Sequence, residues 1–158
     1  MATLIAVTYR REFDINRFDF NRDLAFGEQA EGVIREFLEC ILRGTVEVKA
    51  DRYRNGKMVI ETHQHRRKAD RSGVEEDFWY PSGINVTTAD WWVYNYSPEE
   101  SFVIVSVPRL RRFLRANKHK YNESSKRTFA QSSDNPSKGW LLSPNEVMDL
   151  LISPDYDE

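Results

Sequence analysis

The residue types best suited to chemistry stand in one short segment, Thr45–Asp51 (TVEVKAD). Valine alternates there with polar residues, and a period of two predicts a β-strand that places Val46 and Val48 on the core. Glu47 and Lys49 then share the polar face, with their Cα atoms about 6.7 Å apart. Such a carboxylate can hold a divalent cation, and the ammonium can stabilise charge or orient water during phosphodiester hydrolysis. Taken alone, the tripeptide favours the simpler interpretation of an ion pair on a solvated strand.

A helix is predicted before this strand. From about Leu24 to Leu42 apolar residues recur at helical spacing, and Gly44 is well placed to end the helix. Glu31 lies at the edge of the apolar stripe, where it would face a neighbouring strand. An ordinary boundary glutamate is an equally good interpretation. The stripe consists of Phe26, Ala30, Val33, Ile34, Phe37 and Ile41.

A hairpin is predicted after the strand. Arg54–Lys57 contains Asn-Gly, which readily adopts the positive φ angles of hairpin turns, and Met58–His63 returns as a second strand. If the turn pairs the two strands, Glu61 shares the face of Glu47. Register is not fixed by the sequence, so this pairing is an expectation about the fold.

The second half of the chain contains two further strands and a basic helix. Thr87–Tyr96 carries aromatic residues on both faces, which predicts a strand covered on both sides, and Phe102–Val107 is an apolar strand. Pro108 suits the first position of a helix that runs to about Lys118. Leu110, Phe113 and Leu114 are expected to bury its inner stripe.

The strongest charge asymmetry lies between Arg109 and Arg127, where eight Lys and Arg residues accompany one acid, Glu123. A basic helix face is normally only solvated, but so unequal a count favours contact with a polyanion. The arginines are expected on the outer face of the helix. The residues predicted to bind DNA are Arg109, Arg111, Arg112, Arg115, Lys118 and Lys120.

The C-terminal region begins with an expected exposed loop at 122–138 and a short strand at Trp140–Leu142. Ser143–Glu146 is a capping box with proline at the first helical position, and it opens a helix through Leu151. Asp155–Glu158 is expected to be a frayed acidic tail.

Composition limits the class of protein. A length of 158 residues suits one domain, here residues 1–158 with an N-terminal arm at 1–23 and an acidic tail at 153–158. No apolar run approaches the roughly 20 residues of a membrane span, and no signal-peptide pattern is evident. The single cysteine, Cys40, excludes an internal disulfide and favours a reducing cytoplasm. A net charge of −2 excludes a globally basic nucleic-acid coat, so any DNA affinity must come from local patches.

The order of these elements resembles the PD-(D/E)xK nuclease superfamily, which includes restriction endonucleases and the archaeal-type Holliday junction resolvases. Ala30–Leu38 is similar to the first-helix pattern of the resolvases, and Val46–Asp51 is similar to the E-x-K strand with its trailing acid. Stretches that resemble small phage-encoded members are Pro81–Ile84, Thr87–Tyr94 and Asp134–Leu142. The resemblance covers most of the chain from Phe26 onward.

The resemblance implies an α/β fold with a central mixed β-sheet flanked by helices, as in a restriction-endonuclease-like core. It implies that Glu47 is a metal ligand and Lys49 the catalytic lysine, while Glu31 completes the metal site or holds its water. Mg²⁺ or Mn²⁺ is the implied ion, because hard carboxylate oxygens with retained waters suit it. The implied reaction is hydrolysis of DNA phosphodiester bonds by metal-activated water, with Holliday-type junctions as one substrate class. Resolvases of this kind are usually homodimers.

One departure from the superfamily pattern leaves alternatives open. An aspartate expected at the start of the preceding strand is missing, because Glu39–Gly44 contains none. Either Glu31 or Glu61 substitutes as a metal ligand, and Glu61 is preferred because Asp51 lies about 13 Å along the strand from Glu47. Otherwise the site is degenerate, and the chain binds DNA or a protein partner without cutting. A structural α/β domain with a surface ion pair is the third alternative.

Overall fold

A computed structural model describes residues 20–50, 55–69, 75–97, 101–132 and 135–156. Most of the predicted N-terminal arm lies outside these residues, and so does Asp51. The helix predicted from Leu24 begins at Phe20, so residues 20–23 of the arm belong to it. Among the described residues, no helix combines the length and the apolar character that crossing a membrane requires.

The described residues form a mixed α/β structure, which confirms the predicted α/β class, while the restriction-endonuclease-like core stays a prediction. The predicted loop at 122–138 contains one short strand and the beginning of another. In chain order the elements are α1 (Phe20–Arg43), β1 (Val46–Ala50), β2 (Met58–Ala69), β3 (Glu75–Pro81), β4 (Trp91–Ser97), β5 (Ser101–Ser106), α2 (Val107–Ala116), β6 (Arg127–Phe129), β7 (Ser137–Leu142) and α3 (Pro144–Ile152).

The strands divide into two sheets. One has the order β1-β4-β5, in which β1 runs parallel to β4 and β5 antiparallel to it. The other has the order β3-β2-β7-β6 and is antiparallel throughout. The predicted hairpin between β1 and β2 is therefore wrong, although Gly56 does adopt a positive φ of 72°. Strand β1 bonds instead to β4, while β2 bonds to β7 through Met58–Gln64 and to β3 through His63–Ala69.

The hydrophobic core draws side chains from both sheets and from α2 and α3. Trp91, Trp92 and Tyr94 of β4 are all buried although successive side chains of a strand point to opposite faces, so the prediction of a strand covered on both sides is confirmed. The other large buried members are Met58, Ile60, Ile84, Val105, Val107, Leu110, Phe113, Leu114, Tyr121, Leu142, Val147, Leu150 and Tyr156.

Helix α1 contacts the described sheets near its C-terminal end. Phe37 packs edge-on against Trp91 with ring centroids 5.5 Å apart, and a Cβ atom at Gly44 would lie 2.8 Å from the same indole. Further residues of the helix are exposed among the described residues, including Val33 and Ile34 of the predicted stripe. The described residues therefore leave much of that stripe uncovered.

The prediction that Arg109 faces outward is wrong. Its side chain is 1% exposed, and it donates from Nε to the Leu150 carbonyl and from Nη2 to the Ser153 carbonyl, each at 2.6 Å. The guanidinium thus satisfies carbonyls at the C-terminal end of α3, where a cation is also favoured by the helix dipole. Arg112 makes a similar bond from Nε to the Tyr156 carbonyl at 2.7 Å. Because Tyr156 is buried, the acidic tail is not frayed at that residue.

We expect Arg109→Met to lower the free energy of unfolding by about 1.5–3 kcal/mol, because hydrogen bonds to a charged donor contribute about that much. Arg115→Met is the matched control, since Arg115 lies exposed on the same helix, and it should change stability by less than about 0.5 kcal/mol. Urea denaturation measures both values. Equal effects of the two substitutions would contradict a structural role specific to Arg109.

Candidate active site

Strand β1 alternates as predicted, but the face that turns inward is the polar one. Val46 and Val48 are exposed among the described residues, whereas Glu47 and Lys49 are half-buried. The prediction that the valines face the core is therefore wrong. The polar face of β1 is turned toward the second sheet, where Lys49 approaches Glu61 of β2.

Lys49 lies close to two carboxylates from different sheets. Its Nζ atom is 2.9 Å from Oε1 of Glu47 and 4.0 Å from Oε1 of Glu61. The same ammonium lies 5.5 Å from the ring centroid of Trp92, within range of a cation–π interaction. We call Glu47, Lys49 and Glu61 the acid–lysine cluster. Its side chains are 20–29% exposed, so the cluster is sheltered by the protein and still open to a ligand.

One connection, Ser82–Thr87, supplies a hydroxyl group to each carboxylate, and we call it the bridging loop. Ser82 donates from Oγ to Oε1 of Glu61 at 2.6 Å. At the other end of the loop, the side chain of Thr87 is hydrogen-bonded to Glu47. The loop therefore touches both sheets and orients one acid on each.

The bridging loop is anchored from two directions. Asn85 donates from Nδ2 to the Thr62 carbonyl of β2 at 3.1 Å. From α2, Arg111 donates through Nη2 to the carbonyls of Ile84 at 3.0 Å and Thr87 at 2.9 Å. These bonds hold the loop between β2 and α2, and they engage part of the Arg111 guanidinium in structure.

Gly83 allows the bridging loop to approach β2 closely. Its φ angle is 52°, a left-handed conformation that favours glycine. A Cβ atom at this position would lie 2.3 Å from the carbonyl oxygen of Glu61, which is closer than atoms can pack. Glycine is therefore required both by the backbone conformation and by the space beside Glu61.

The surroundings of Glu47 favour its ionised form. Burial by itself raises the pKa of this carboxyl group, but hydrogen bonds from Thr87 and Lys49 and the charge of Lys49 outweigh burial. The net result is a pKa below the ordinary value of 4.5. Glu47 is therefore a carboxylate at neutral pH, which is the state that a metal ligand requires.

Glu31 is not brought into the acid–lysine cluster. It is exposed on α1, and the described residues contain no group of three or more His, Cys, Asp or Glu side chains arranged to hold a metal ion. Glu47 and Glu61 remain as a pair of acids. Mg²⁺ is often held by one or two carboxylates together with waters and substrate phosphates, so the oxygen donors of this pair fit that ion.

The basic residues predicted to bind DNA have different environments. Arg109 is buried, while Arg111 and Arg112 each use Nε in a bond to a backbone carbonyl. Arg115 and Lys118 are exposed and help to line a cavity of about 590 Å³. Lys120 lies 4.0 Å from Glu146 across a salt bridge. Burial thus removes Arg109 from the surface, and backbone contacts occupy some of the hydrogen-bond donors of Arg111 and Arg112.

Ser82 and Thr87 are site residues that the sequence did not predict. The Pro-Ser-Gly segment is recognisable from the sequence only as a turn. The one sequence signal for Ser82 and Thr87 was that both lie in stretches predicted to resemble small phage-encoded nucleases. Their roles depend on the meeting of two sheets, which no local pattern encodes.

No family model, no curated protein and no solved structure matches this chain.

We expect Gly83→Ala to lower the free energy of unfolding by about 1–3 kcal/mol, the usual cost of a left-handed conformation at a residue with a side chain. Gly32→Ala is the matched control, because Gly32 lies in the interior of α1, where an added Cβ would meet no atom within 4 Å. That substitution should raise stability by about 0.5–1 kcal/mol, since alanine favours the helix. Urea denaturation of both variants tests the opposite signs, and two equal changes would contradict this account of Gly83.

We expect Thr87→Val to raise the pKa of Glu47, because it removes a hydrogen bond that favours the carboxylate. Since the pKa of Glu47 is lowered by folding, this group stabilises the native state above pH 4.5 and loses that effect as pH falls through the lowered value. Thr87→Val should therefore reduce stability at neutral pH more than in acid. Carbon-detected NMR titration of the Glu47 carboxyl measures the pKa, and Thr88→Val, at the exposed neighbour, should leave it unchanged.

Proposed function

We propose that this chain is a Mg²⁺-dependent DNA endonuclease of the PD-(D/E)xK type, a phosphodiester hydrolase. The observation that carries the proposal is the convergence of Glu47 and Glu61 on Lys49, with Nζ–Oε1 distances of 2.9 and 4.0 Å. Two acids beside one amine provide ligands for a divalent cation and a positive charge for a phosphate. The sequence order of these residues and the E-x-K pattern support the same reaction class.

Each residue of the cluster has a distinct role in this proposal. Glu47 and Glu61 would hold Mg²⁺ or Mn²⁺ through carboxylate oxygens, and the bound ion would activate water and offset negative charge on the phosphodiester. Lys49 stabilises the charge that develops on the phosphate oxygens in the transition state. Ser82 and Thr87 are positioning residues, because each hydroxyl bonds to one carboxylate and fixes its orientation.

Further parts of the proposal rest on the sequence resemblance. They are a substrate range that includes branched, Holliday-type DNA, a homodimeric state, and a cytoplasmic location, which is the host cytoplasm for a phage-encoded protein. Exposed apolar residues on α1 and β1, such as Leu42 and Val48, offer surface for a second copy among the described residues. A single cysteine, Cys40, fits a reducing compartment.

A second candidate function is a nuclease-like module that binds DNA or a protein without cutting. Two observations favour it. No third acid joins Glu47 and Glu61 among the described residues, and Lys49 already neutralises part of their charge. In that case the cluster is an ion-pair network that links the two sheets.

We expect the protein to cleave linear, flap or four-way DNA in the presence of Mg²⁺ or Mn²⁺. Lys49→Ala should reduce the cleavage rate by at least about 100-fold, because removal of one preorganised charge-stabilising group typically costs that much. Lys57→Ala, at an exposed lysine after the Asn-Gly turn, is the control that should retain activity. Cleavage that persists in Lys49→Ala, or the absence of cleavage on every substrate, would remove the catalytic proposal.

Calorimetry with Mn²⁺ separates the two candidate functions. A competent nuclease site should bind Mn²⁺ and lose that binding in Glu47→Gln and in Glu61→Gln, because both remove a charged ligand. Glu31→Gln, at an exposed acid of α1, should retain it. DNA binding without Mn²⁺ binding would favour the non-cutting module, and no DNA affinity even at low ionic strength would leave a structural domain.

A further inference from the structure

A cavity of about 450 Å³ lies between the C-terminal end of α1 and the N-terminal end of α2. Three arginines contribute to its lining, Arg43 from α1 and Arg111 and Arg112 from α2, and we call it the arginine cavity. Asp90 is the one acid among its lining residues. The volume is that of a small-ligand pocket, and the lining carries a clear excess of positive charge.

The single acid is already engaged in the fold. Oδ2 of Asp90 accepts hydrogen bonds from the backbone N–H of Thr45 at 2.8 Å and from its hydroxyl group at 3.0 Å. These bonds connect the start of β1 to the residue before β4. Asp90 therefore acts as a structural link and keeps its negative charge, and the three arginines still leave an excess of positive charge in the lining.

Arg112 is held so that its remaining donors are available. Its Nε atom bonds to the Tyr156 carbonyl, and in the described part of the chain its terminal nitrogens have no hydrogen-bond partner. Arg43, at the end of α1, makes one ion pair, with Glu39 at 3.7 Å, and its side chain is 83% exposed. A guanidinium fixed through one nitrogen, with free N–H groups on the others, is suited to bidentate recognition of phosphate.

The N-terminal end of α2 is a second feature of the cavity that favours binding of an anion. Val107 and Pro108, the first residues of this ten-residue helix, line the cavity, and its first turn contains no acid. The positive end of the helix dipole therefore acts on the same space as the arginines. Both features favour an anion over a neutral or cationic ligand.

The arginine cavity adjoins the acid–lysine cluster through one residue. Thr87 lines the cavity, and its side chain is hydrogen-bonded to Glu47. Arg111 fixes this shared residue, because it lines the cavity and bonds to the Thr87 carbonyl at 2.9 Å. A nucleic-acid strand, which carries a row of phosphates, is therefore the class of ligand suited to both sites.

We propose that the arginine cavity binds a phosphate group of the nucleic acid, next to the phosphodiester bond that lies at the acid–lysine cluster. This inference rests on the proposed function for the identity of the ligand. It differs from the contact predicted along the outer face of the basic helix, because it uses one end of α2 together with Arg43 of α1. A terminal phosphate and an internal phosphodiester share the chemistry that the arginines recognise.

The test measures binding of fluorescent single-stranded DNA by anisotropy, in EDTA so that no cleavage occurs. Arg43→Gln and Arg112→Gln should each weaken binding about tenfold, as expected for the loss of a charge-assisted hydrogen bond. Each should also reduce the slope of log K against log salt by about 1. Arg35→Gln is the matched control, since this exposed arginine lies on α1 but does not line the cavity, and it should retain wild-type affinity.

Two arms of the experiment identify the phosphate. Tighter binding of DNA with a 5′-phosphate than with a 5′-hydroxyl, lost in Arg43→Gln, assigns the cavity to a terminal phosphate. Equal binding of both DNAs, weakened by Arg43→Gln, assigns it to an internal phosphodiester. Should Arg112→Gln fail to fold, Arg43→Gln decides the result, because its exposed side chain is not needed for packing.

Wild-type affinity in both cavity variants, an equal loss in Arg35→Gln, or no binding by the wild type at low salt overturns the inference. Failure of the proposed function is a separate result, because it is measured by cleavage. A protein that binds DNA through Arg43 and Arg112 but never cuts it keeps the cavity assignment and loses the catalytic one. If the wild type cuts DNA and both cavity variants bind DNA with unchanged affinity, the catalytic proposal stands and the cavity assignment is lost.

Discussion

The contact between the bridging loop and β2 is the constraint on which the candidate site depends. Gly83 has no side chain and a φ of 52°, so its backbone lies against the Glu61 carbonyl. That contact sets the hydroxyl of Ser82 on Glu61, and the far end of the same loop sets the side chain of Thr87 on the acid of β1. Each sheet contributes a single acid to the acid–lysine cluster. The loop holds the sheets in the relative position that makes a pair of acids.

In the acid–lysine cluster, the cost of burying charged groups is offset by nearby groups that stabilise those charges. Burial disfavours the ionised form of Glu47, and hydrogen bonds from Thr87 and Lys49 and the charge of Lys49 outweigh it. The Lys49 ammonium lies near both acids and is also near the ring of Trp92. The hydroxyl groups of the bridging loop add one further hydrogen bond to each acid. The protein thus keeps negative charge and oxygen donors together without a third acid among the described residues.

Local signals in the sequence predicted most of the elements, although β3 and β6 were not predicted. The capping box at Ser143–Glu146 forms as predicted, with both reciprocal hydrogen bonds, and the Asn-Gly turn places Gly56 at positive φ. Pairing and orientation were not predictable in this way. The valines of β1 face outward because the polar face meets a second sheet, and Arg109 is buried because its partners are backbone carbonyls, which a charge count does not include. Glu61 was predicted near Glu47 through a hairpin, whereas the bridging loop joins them.

The parallel pairing of β1 with β4 has a consequence for how the chain folds. Val46 lies opposite Trp91, 45 positions later, and the intervening chain forms the β2–β3 hairpin in another sheet. Local hairpins form before pairings that must close a long segment. Closing a long loop costs conformational entropy before any distant contact can offset that cost. A nascent chain that has emerged from the ribosome only as far as this hairpin has neither acid paired, because the hairpin covers His63–Ala69 and Glu61 lies opposite Gly139 of β7. Both acids therefore reach their final strand neighbours only after synthesis has passed β7.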